Sequence, residues 1–191
     1  NSNASINVQE ANISDSKITS AETGVGSIPT ADGDGDAIFL KDNTGNIAIR
    51  GGEIKRIGGD GIDVRNSSNI KIAQVTIDSI GLDAAFKPSG VKLIEIGDTL
   101  NSIDTTTISN FDVVNGRAVH IANNSDTAKL TIDQVTIEKA ITQAIGIELD
   151  NNSDGTSTGI ISLVIKNQCV FDSIFGRAIL AEGGSKSGGG G

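Results

Sequence analysis

Apolar and polar residues alternate in short runs along most of this chain, and the runs recur in sets of three. The first member of each set is Ile38-Phe-Leu40, Ile62-Asp-Val64, Ile94-Glu-Ile96, Val119-His-Ile121, Ile147-Glu-Leu149 and Ile179-Leu-Ala181. The second is Ile47-Ala-Ile49, Ile70-Lys-Ile72, the region of Ile108, Leu130-Thr-Ile132 and Leu163-Val-Ile165. A third follows around Ile54, Ile77, Val113, Ile137 and Val170. Period-two alternation predicts β-strands with one buried face, and helical spacing is nowhere sustained over the ~11 residues that would argue for a helix.

The sets are copies of one another. Stretches beginning at Asn46, Asn69, Thr105, Lys129 and Ser162 overlay almost without gaps, at a spacing of roughly 23 to 36 residues that signals a solenoid. A single copy buries too few aliphatic side chains to offset the ordering of its backbone, so several must stack. Two residues after Ile49, Ile72, Ile108, Ile132 and Ile165 stand Gly51, Gln74, Asn110, Gln134 and Asn167. Gln74, Asn110, Gln134 and Asn167 are therefore expected to form a structural ladder of stacked side-chain amides.

The runs Gly61-Ile-Asp-Val-Arg-Asn-Ser-Ser-Asn-Ile-Lys-Ile72, Gly116-Arg-Ala-Val-His-Ile121 and Gly176-Arg-Ala-Ile-Leu180 resemble the right-handed parallel β-helix family, the fold of pectate lyases, tailspikes and many bacterial surface and autotransporter passengers. The resemblance implies an all-β, right-handed, single-stranded parallel β-helix of about six coils over residues 1–183. Val8 to Ile18 reads as a partial first coil, and residues 184–191 as a flexible Gly/Ser tail, linker or expression scar. Polar insertions at 19–36, 97–104 and 151–160 are expected to protrude as loops, where recognition usually lives. Neither end carries an amphipathic helical cap, which favours an end-to-end continuation or a homo-oligomer.

Composition narrows the function. The apolar residues are Ile, Val, Leu and Ala, with five Phe and no Trp, Tyr or Met in 191 residues. A net charge of −9 and few aromatics give neither the cationic footprint nor the stacking platforms of a nucleic-acid binder. No apolar run reaches the ~20 residues of a membrane-spanning helix, so no membrane insertion is expected. The single cysteine, Cys169, occupies the slot of Glu53, Thr76, Asp112 and Thr136 and is expected to face outward as a small strand residue.

Candidate chemistry gathers on the outward residue of the first strand. Phe39, Asp63, Glu95, His120, Glu148 and Leu180 should form one file, with stacked strands ~4.8 Å apart. If the protein is an enzyme, Asp63, Glu95, His120 and Glu148 are the catalytic candidates, because carboxylates about 5 Å apart suit a retaining glycosidase and wider pairs an inverting one. Two flanking Glu should favour the charged form of the sole histidine. The competing reading is a solvated face on which His120 offsets its acidic neighbours. Asp32, Asp34 and Asp36, in an Asp-Gly-Asp-Gly-Asp run, are metal candidates with oxygen ligands that suit Ca²⁺. They lack the rest of an EF-hand loop, and no other cofactor is implied.

The catalytic signatures of polygalacturonases and pectate lyases are missing, and a sugar cleft without Trp or Tyr would be atypical. The expected function is a structural or adhesive segment of a secreted or cell-surface bacterial protein, binding a host or neighbouring-cell surface protein or glycan through its loops. The alternatives are a polysaccharide lyase or glycoside hydrolase fragment using the acidic file, and a trimeric phage-type receptor-binding fibre.

Overall fold

A computed structural model describes residues 6–14, 36–80, 87–111, 116–123, 127–140, 143–150 and 159–182. Among them every helix or strand is a strand. In chain order these are β1 (Ile6–Ser14), β2 (Ile38–Lys41), β3 (Ile47–Ile57), β4 (Ile62–Arg65), β5 (Ile70–Ala73), β6 (Thr76–Ile80), β7 (Ser89–Ile94) and β8 (Asn101–Asp104). They continue as β9 (Thr107–Phe111), β10 (Arg117–Ala122), β11 (Thr127–Asp133), β12 (Thr136–Ala140), β13 (Ile145–Asp150), β14 (Ile160–Lys166), β15 (Val170–Ile174) and β16 (Arg177–Glu182).

The strands form two parallel sheets. One runs β2-β4-β7-β10-β13-β16. The other has ten strands in the order β14-β11-β8-β5-β3-β6-β9-β12-β15, with β1 also on β3. The long strand β3 carries β5 on one half and β6 on the other. From β4 onward, strands come in threes, one in the six-stranded sheet and two in the ten-stranded sheet. Each pairs with its counterpart one unit away, an arrangement compatible with a β-helix.

Constant register turns the period-two pattern into columns. Ile38, Ile62, Val91, Val119, Ile147 and Ile179 are aligned partners along the six-stranded sheet. Ile49, Ile72, Ile103, Ile132 and Ile165 align in the other, as do Ile54, Ile77, Ile108, Ile137 and Phe171. Apart from Ile165 and Ile179, which are exposed, both sheets send these residues into one aliphatic core. β-branched side chains suit this packing because their restricted χ1 fits a pleated surface.

Three further columns turn the chain. Gly51, Gln74, Thr105, Gln134 and Asn167 have φ between 38° and 68°. Arg56, Ser79, Asn110, Lys139 and Ser173 lie between 52° and 57°. Asp42, Asn66 and Glu95 lie between 46° and 55°. A left-handed residue bends the strand while the backbone ladder continues, as in Gln74 N–H to the Asp104 carbonyl at 3.0 Å and Glu95 N–H to the Ala122 carbonyl at 2.9 Å. Side chains at such positions carry strain that the ladder on both sides must hold in place.

Small residues line another column, namely Gly61, Gly90, Ala118, Gly146 and Ala178, each one place before an inward aliphatic. Here the six-stranded sheet packs directly against side chains of the ten-stranded sheet. A Cβ on Gly90 would lie 2.6 Å from Ile108 Cγ2 and 2.8 Å from the Ala118 carbonyl.

The third unit departs from the expected alignment. Its first strand is centred on Val91-Lys-Leu93 rather than Ile94-Glu-Ile96, and Glu95 is a left-handed turn residue beyond it. Its second strand is β8, so residues 97–104 include a strand rather than forming only a loop. Ile108 belongs to the third strand. The ladder residue is accordingly Thr105, and Asn110 sits in a different left-handed column, where its amide donates to Asp78 Oδ1 at 2.5 Å. Burial alone would raise the Asp78 carboxyl, but the amide of Asn110 and the hydroxyl of Ser109 outweigh it and hold it below its usual value.

The amides of Gln74, Gln134 and Asn167 do share a column, yet the contacts there run otherwise than between stacked amides. Asn167 Nδ2 donates to both Asp133 oxygens at 2.9 and 3.1 Å, and Thr105 Oγ1 donates to Gln134 Oε1 at 3.5 Å. Cys169 also shifts by one place. It follows Val75, Thr106 and Val135 in a column facing the core, and its thiol, half-buried, reaches the Lys166 carbonyl at 3.1 Å. The proposed loop interiors at 19–35 and 151–158, the part of the first coil beyond Ser14, and the tail lie outside the described residues.

Candidate functional site

The outward file of the six-stranded sheet reads Phe39, Asp63, Lys92, His120, Glu148, Leu180. Lys92 stands where Glu95 was expected. The parallel ladder therefore separates the carboxylates of Asp63 and Glu148 by three strand spacings, about 14 Å, beyond the span of an inverting glycosidase pair. The file is also buried rather than solvated: Asp63 is 0% exposed, Glu148 5% and His120 7%.

At one end of the file three carboxylates converge. Asp36, Asp60 and Asp63 each bring an oxygen within 4.8 Å of the others. Asp36 and Asp60 precede the small-aliphatic pairs Ala37-Ile38 and Gly61-Ile62, so constant register stacks them, and Asp63 turns toward them from β4. Asp36 Oδ1 accepts the Asp60 N–H at 2.7 Å, and Asp60 Oδ1 accepts the Ser89 N–H at 2.5 Å. Lys92 Nζ lies 2.9 Å from Asp60 Oδ2 and 3.4 Å from Asp63 Oδ2. Arg65 completes the set, its Nη2 donating to Asp63 Oδ2 at 2.7 Å and its Nε to both Asp63 oxygens. The guanidinium also lies 5.4 Å from the ring centre of Phe39.

Two cations thus face three carboxyls, two of them buried, whose hard oxygen ligands would suit a divalent ion. Such an ion would have to displace the Lys92 ammonium. Of the metal candidates read from the sequence, Asp36 belongs to this cluster, and Asp32 and Asp34 lie outside the described residues.

Burial raises the Asp36 carboxyl to about 7, with help from the neighbouring charge of Asp60. Burial also raises Asp60, with Lys92 opposing. For Lys92, burial acts to lower its pKa, but Asp60 and Asp63 outweigh it and hold the ammonium above its usual range.

The other half of the file holds Arg117, His120 and Glu148. Arg117 pairs with Glu148 through Nε, and His120 Nε2 is 3.9 Å from Glu148 Oε2. Neither ring nitrogen of His120 has a hydrogen-bond partner among the described residues. The expected protonation of His120 is overturned. Burial, reinforced by Arg117 and Lys92, holds its pKa well below the ordinary histidine value. The supposed Glu on one side is a lysine, and the Glu on the other is matched by an arginine.

Asp60, Arg65 and Lys92 were missed as site residues. Their signal is the motif small-aliphatic-X-aliphatic, which repeats at Ala37-Ile-Phe-Leu40, Gly61-Ile-Asp-Val64, Gly90-Val-Lys-Leu93, Ala118-Val-His-Ile121, Gly146-Ile-Glu-Leu149 and Ala178-Ile-Leu-Ala181. Its third position is the outward file, and the residue before the motif supplies Asp36, Asp60, Ser89 and Arg117.

These shifts predict a pH dependence. Between 3.8 and about 7 the unfolded Asp36 is ionised while the folded one keeps its proton, so the folded state binds more protons and loses stability as pH rises. His120 acts in the opposite sense, because its unfolded form protonates below 6.5 while the folded one resists. Asp36→Asn can still accept the Asp60 N–H. It should raise the melting temperature relative to the native chain at about pH 7.5 and change it little at about pH 4. Equal effects in thermal melts at both pH values would contradict this assignment.

No protein-family model, no curated protein and no solved structure matches the chain, so the fold and the ionic file are the ground on which its function is read.

Proposed function

We propose that the chain is a segment of a right-handed, single-stranded parallel β-helix of about six coils, and that it works as a structural and adhesive rod. Its setting would be a secreted or cell-surface bacterial protein whose loops bind a host or neighbouring-cell surface protein or glycan. The observation that carries this reading is the constant parallel register of every strand with its counterpart one unit away. That register gives a scaffold which lengthens in one direction and presents loops at fixed intervals. The ionic file agrees with a scaffold. Asp60 and Asp63 face Lys92 and Arg65, and Glu148 faces Arg117, so the carboxylates are held by internal cations instead of facing an open cleft.

One observation favours a second reading, a polysaccharide lyase or hydrolase fragment: the neutral, unpartnered imidazole of His120 beside Glu148. Small-angle scattering should give an elongated particle. A glycan array should find binding without release of reducing sugar or unsaturated product. Turnover that His120→Asn abolishes would replace the rod with the enzyme, and a compact scattering profile would remove the solenoid.

A further inference from the structure

We propose that Lys92 and Asp60 condense to an intramolecular amide that ties β7 to the segment leading into β4, with Asp36 relaying the protons. The ionic pair described above is the reactant. The inference stands on these side chains under either reading of the protein's function.

The starting geometry holds an amine against an acid and away from water. Lys92 Nζ lies 2.9 Å from Asp60 Oδ2, and the two side chains are 23% and 8% exposed. The pairs Lys55–Glu53 and Lys139–Glu138 are surface bridges by comparison, with no side chain less than 27% exposed. Register fixes the partners, because β4 and β7 are parallel neighbours. The Ser89 N–H pins the Asp60 carboxyl further through Oδ1, at 2.5 Å. Holding both groups in place makes the condensation unimolecular and removes most of its entropic cost.

Each neighbour has a part in the reaction. Asp60 and Asp63 hold the proton on Lys92 at rest, so the step is slow and begins when that proton passes to Asp60 Oδ2 along their hydrogen bond. Burial favours the resulting neutral amine and neutral acid. The nitrogen lone pair then forms the bond to Asp60 Cγ, and the carbonyl electron pair moves to Oδ1, where the Ser89 N–H steadies it. Asp36, whose carboxyl comes within 4.8 Å of those of Asp60 and Asp63, gives its proton to the Oδ2 hydroxyl and takes one from the nitrogen. Oδ2 leaves as water, the carbonyl re-forms at Oδ1, and Asp36 is restored.

The product suits the site. One pair of buried charges disappears, which removes its desolvation cost. The amide carbonyl at Oδ1 still accepts the Ser89 N–H, and Asp63 keeps Arg65 as its cation. A covalent rung at this point would keep β4 and β7 paired under heat or tension.

Mass spectrometry of the folded 191-residue chain tests this. Its intact mass, measured after denaturation, should fall short of the sequence mass by one water, at once or on incubation at neutral pH. Tryptic digestion should give a branched peptide joining Ile57–Arg65 to uncleaved chain around Lys92, with fragmentation placing the link on Asp60. Lys92→Arg keeps a cation beside the acids and should retain its full mass. Asp36→Asn can still accept the Asp60 N–H but cannot relay a proton, and should slow the loss of water about a hundredfold or more. Circular dichroism checks that both variants stay folded.

A folded native chain that keeps its full mass after prolonged incubation would overturn the proposal without recourse to any variant. So would a loss of water that persists in Lys92→Arg, which would mark a succinimide at Asp60-Gly61, or a link found on Asp63. An unchanged rate in Asp36→Asn would overturn the relay.

Discussion

Replacing Lys92 with methionine should cost about 3–5 kcal/mol of folding stability, although the new side chain has similar length and comparable volume. The lysine ammonium lies 2.9 Å from Asp60 and 3.4 Å from Asp63, in a cluster that also contains Asp36. Removing it leaves the buried carboxylates of Asp60 and Asp63 without their shared ammonium, with Arg65 bonded to Asp63. The unpaired acids must then ionise at high energetic cost or take up protons. The loss should therefore be greater at neutral pH than in mild acid. Asp60→Asn combined with Lys92→Met should recover a large part of it, since a neutral amide can still accept the Ser89 N–H. Glu95→Gln supplies the contrast: from its half-exposed turn position it should change stability by less than about 0.5 kcal/mol. Chemical denaturation of the four chains decides the matter. Equal losses for Lys92→Met and Glu95→Gln would mean that the file runs through Glu95 after all.

Ile103→Ala should cost about 2–5 kcal/mol, whereas Leu100→Ala, three residues earlier, should cost almost nothing. Ile103 is 0% exposed and stands between Ile72 and Ile132 in its column. Deleting its side chain opens a cavity that the ladders on either side prevent from collapsing. Leu100 is 92% exposed and has no such neighbours to lose. Urea unfolding with an unchanged m-value would attribute the difference to the cavity. A large loss for Leu100→Ala would contradict the packing at this unit.

These two sites also show where the sequence was readable. Units with an aliphatic at both inward positions of the second strand, such as Ile70 and Ile72 or Leu130 and Ile132, declare their strand and its face through alternation alone. The third unit has Asn101 in the first of those positions. Its side chain is buried at 2% exposure because it serves the backbone: Oδ1 accepts the Ile70 N–H at 3.0 Å, and Nδ2 donates to the carbonyls of Gly97, Thr99 and Lys129. A polar residue in an aliphatic column hides the strand from a hydrophobic pattern, and the alignment slides to the next isoleucine, Ile108.

The same unit blurred the outward file. Val91-Lys-Leu-Ile-Glu-Ile96 alternates in two phases, and both Val91 and Ile96 are buried because the left-handed Glu95 lets the chain turn inward a second time. Gly90 resolves the phase, since the small residue always precedes the first inward aliphatic. That rule depends on how closely the two sheets approach, which hydropathy does not encode. His120 was placed correctly, yet its protonation depended on burial and on Lys92 and Arg117, neither of which the one-dimensional pattern brings to its side.

The recurrence of left-handed residues at matched places has an evolutionary consequence. Duplicating one unit in the gene would insert three strands that find the same φ values, the same small residue and the same aliphatic neighbours above and below. The product would be longer by one strand spacing, about 4.8 Å, without any new kind of contact having to arise. On the rod reading proposed above, such a chain would work as a ruler whose graduations can be added or removed, so its reach would change under selection faster than its chemistry.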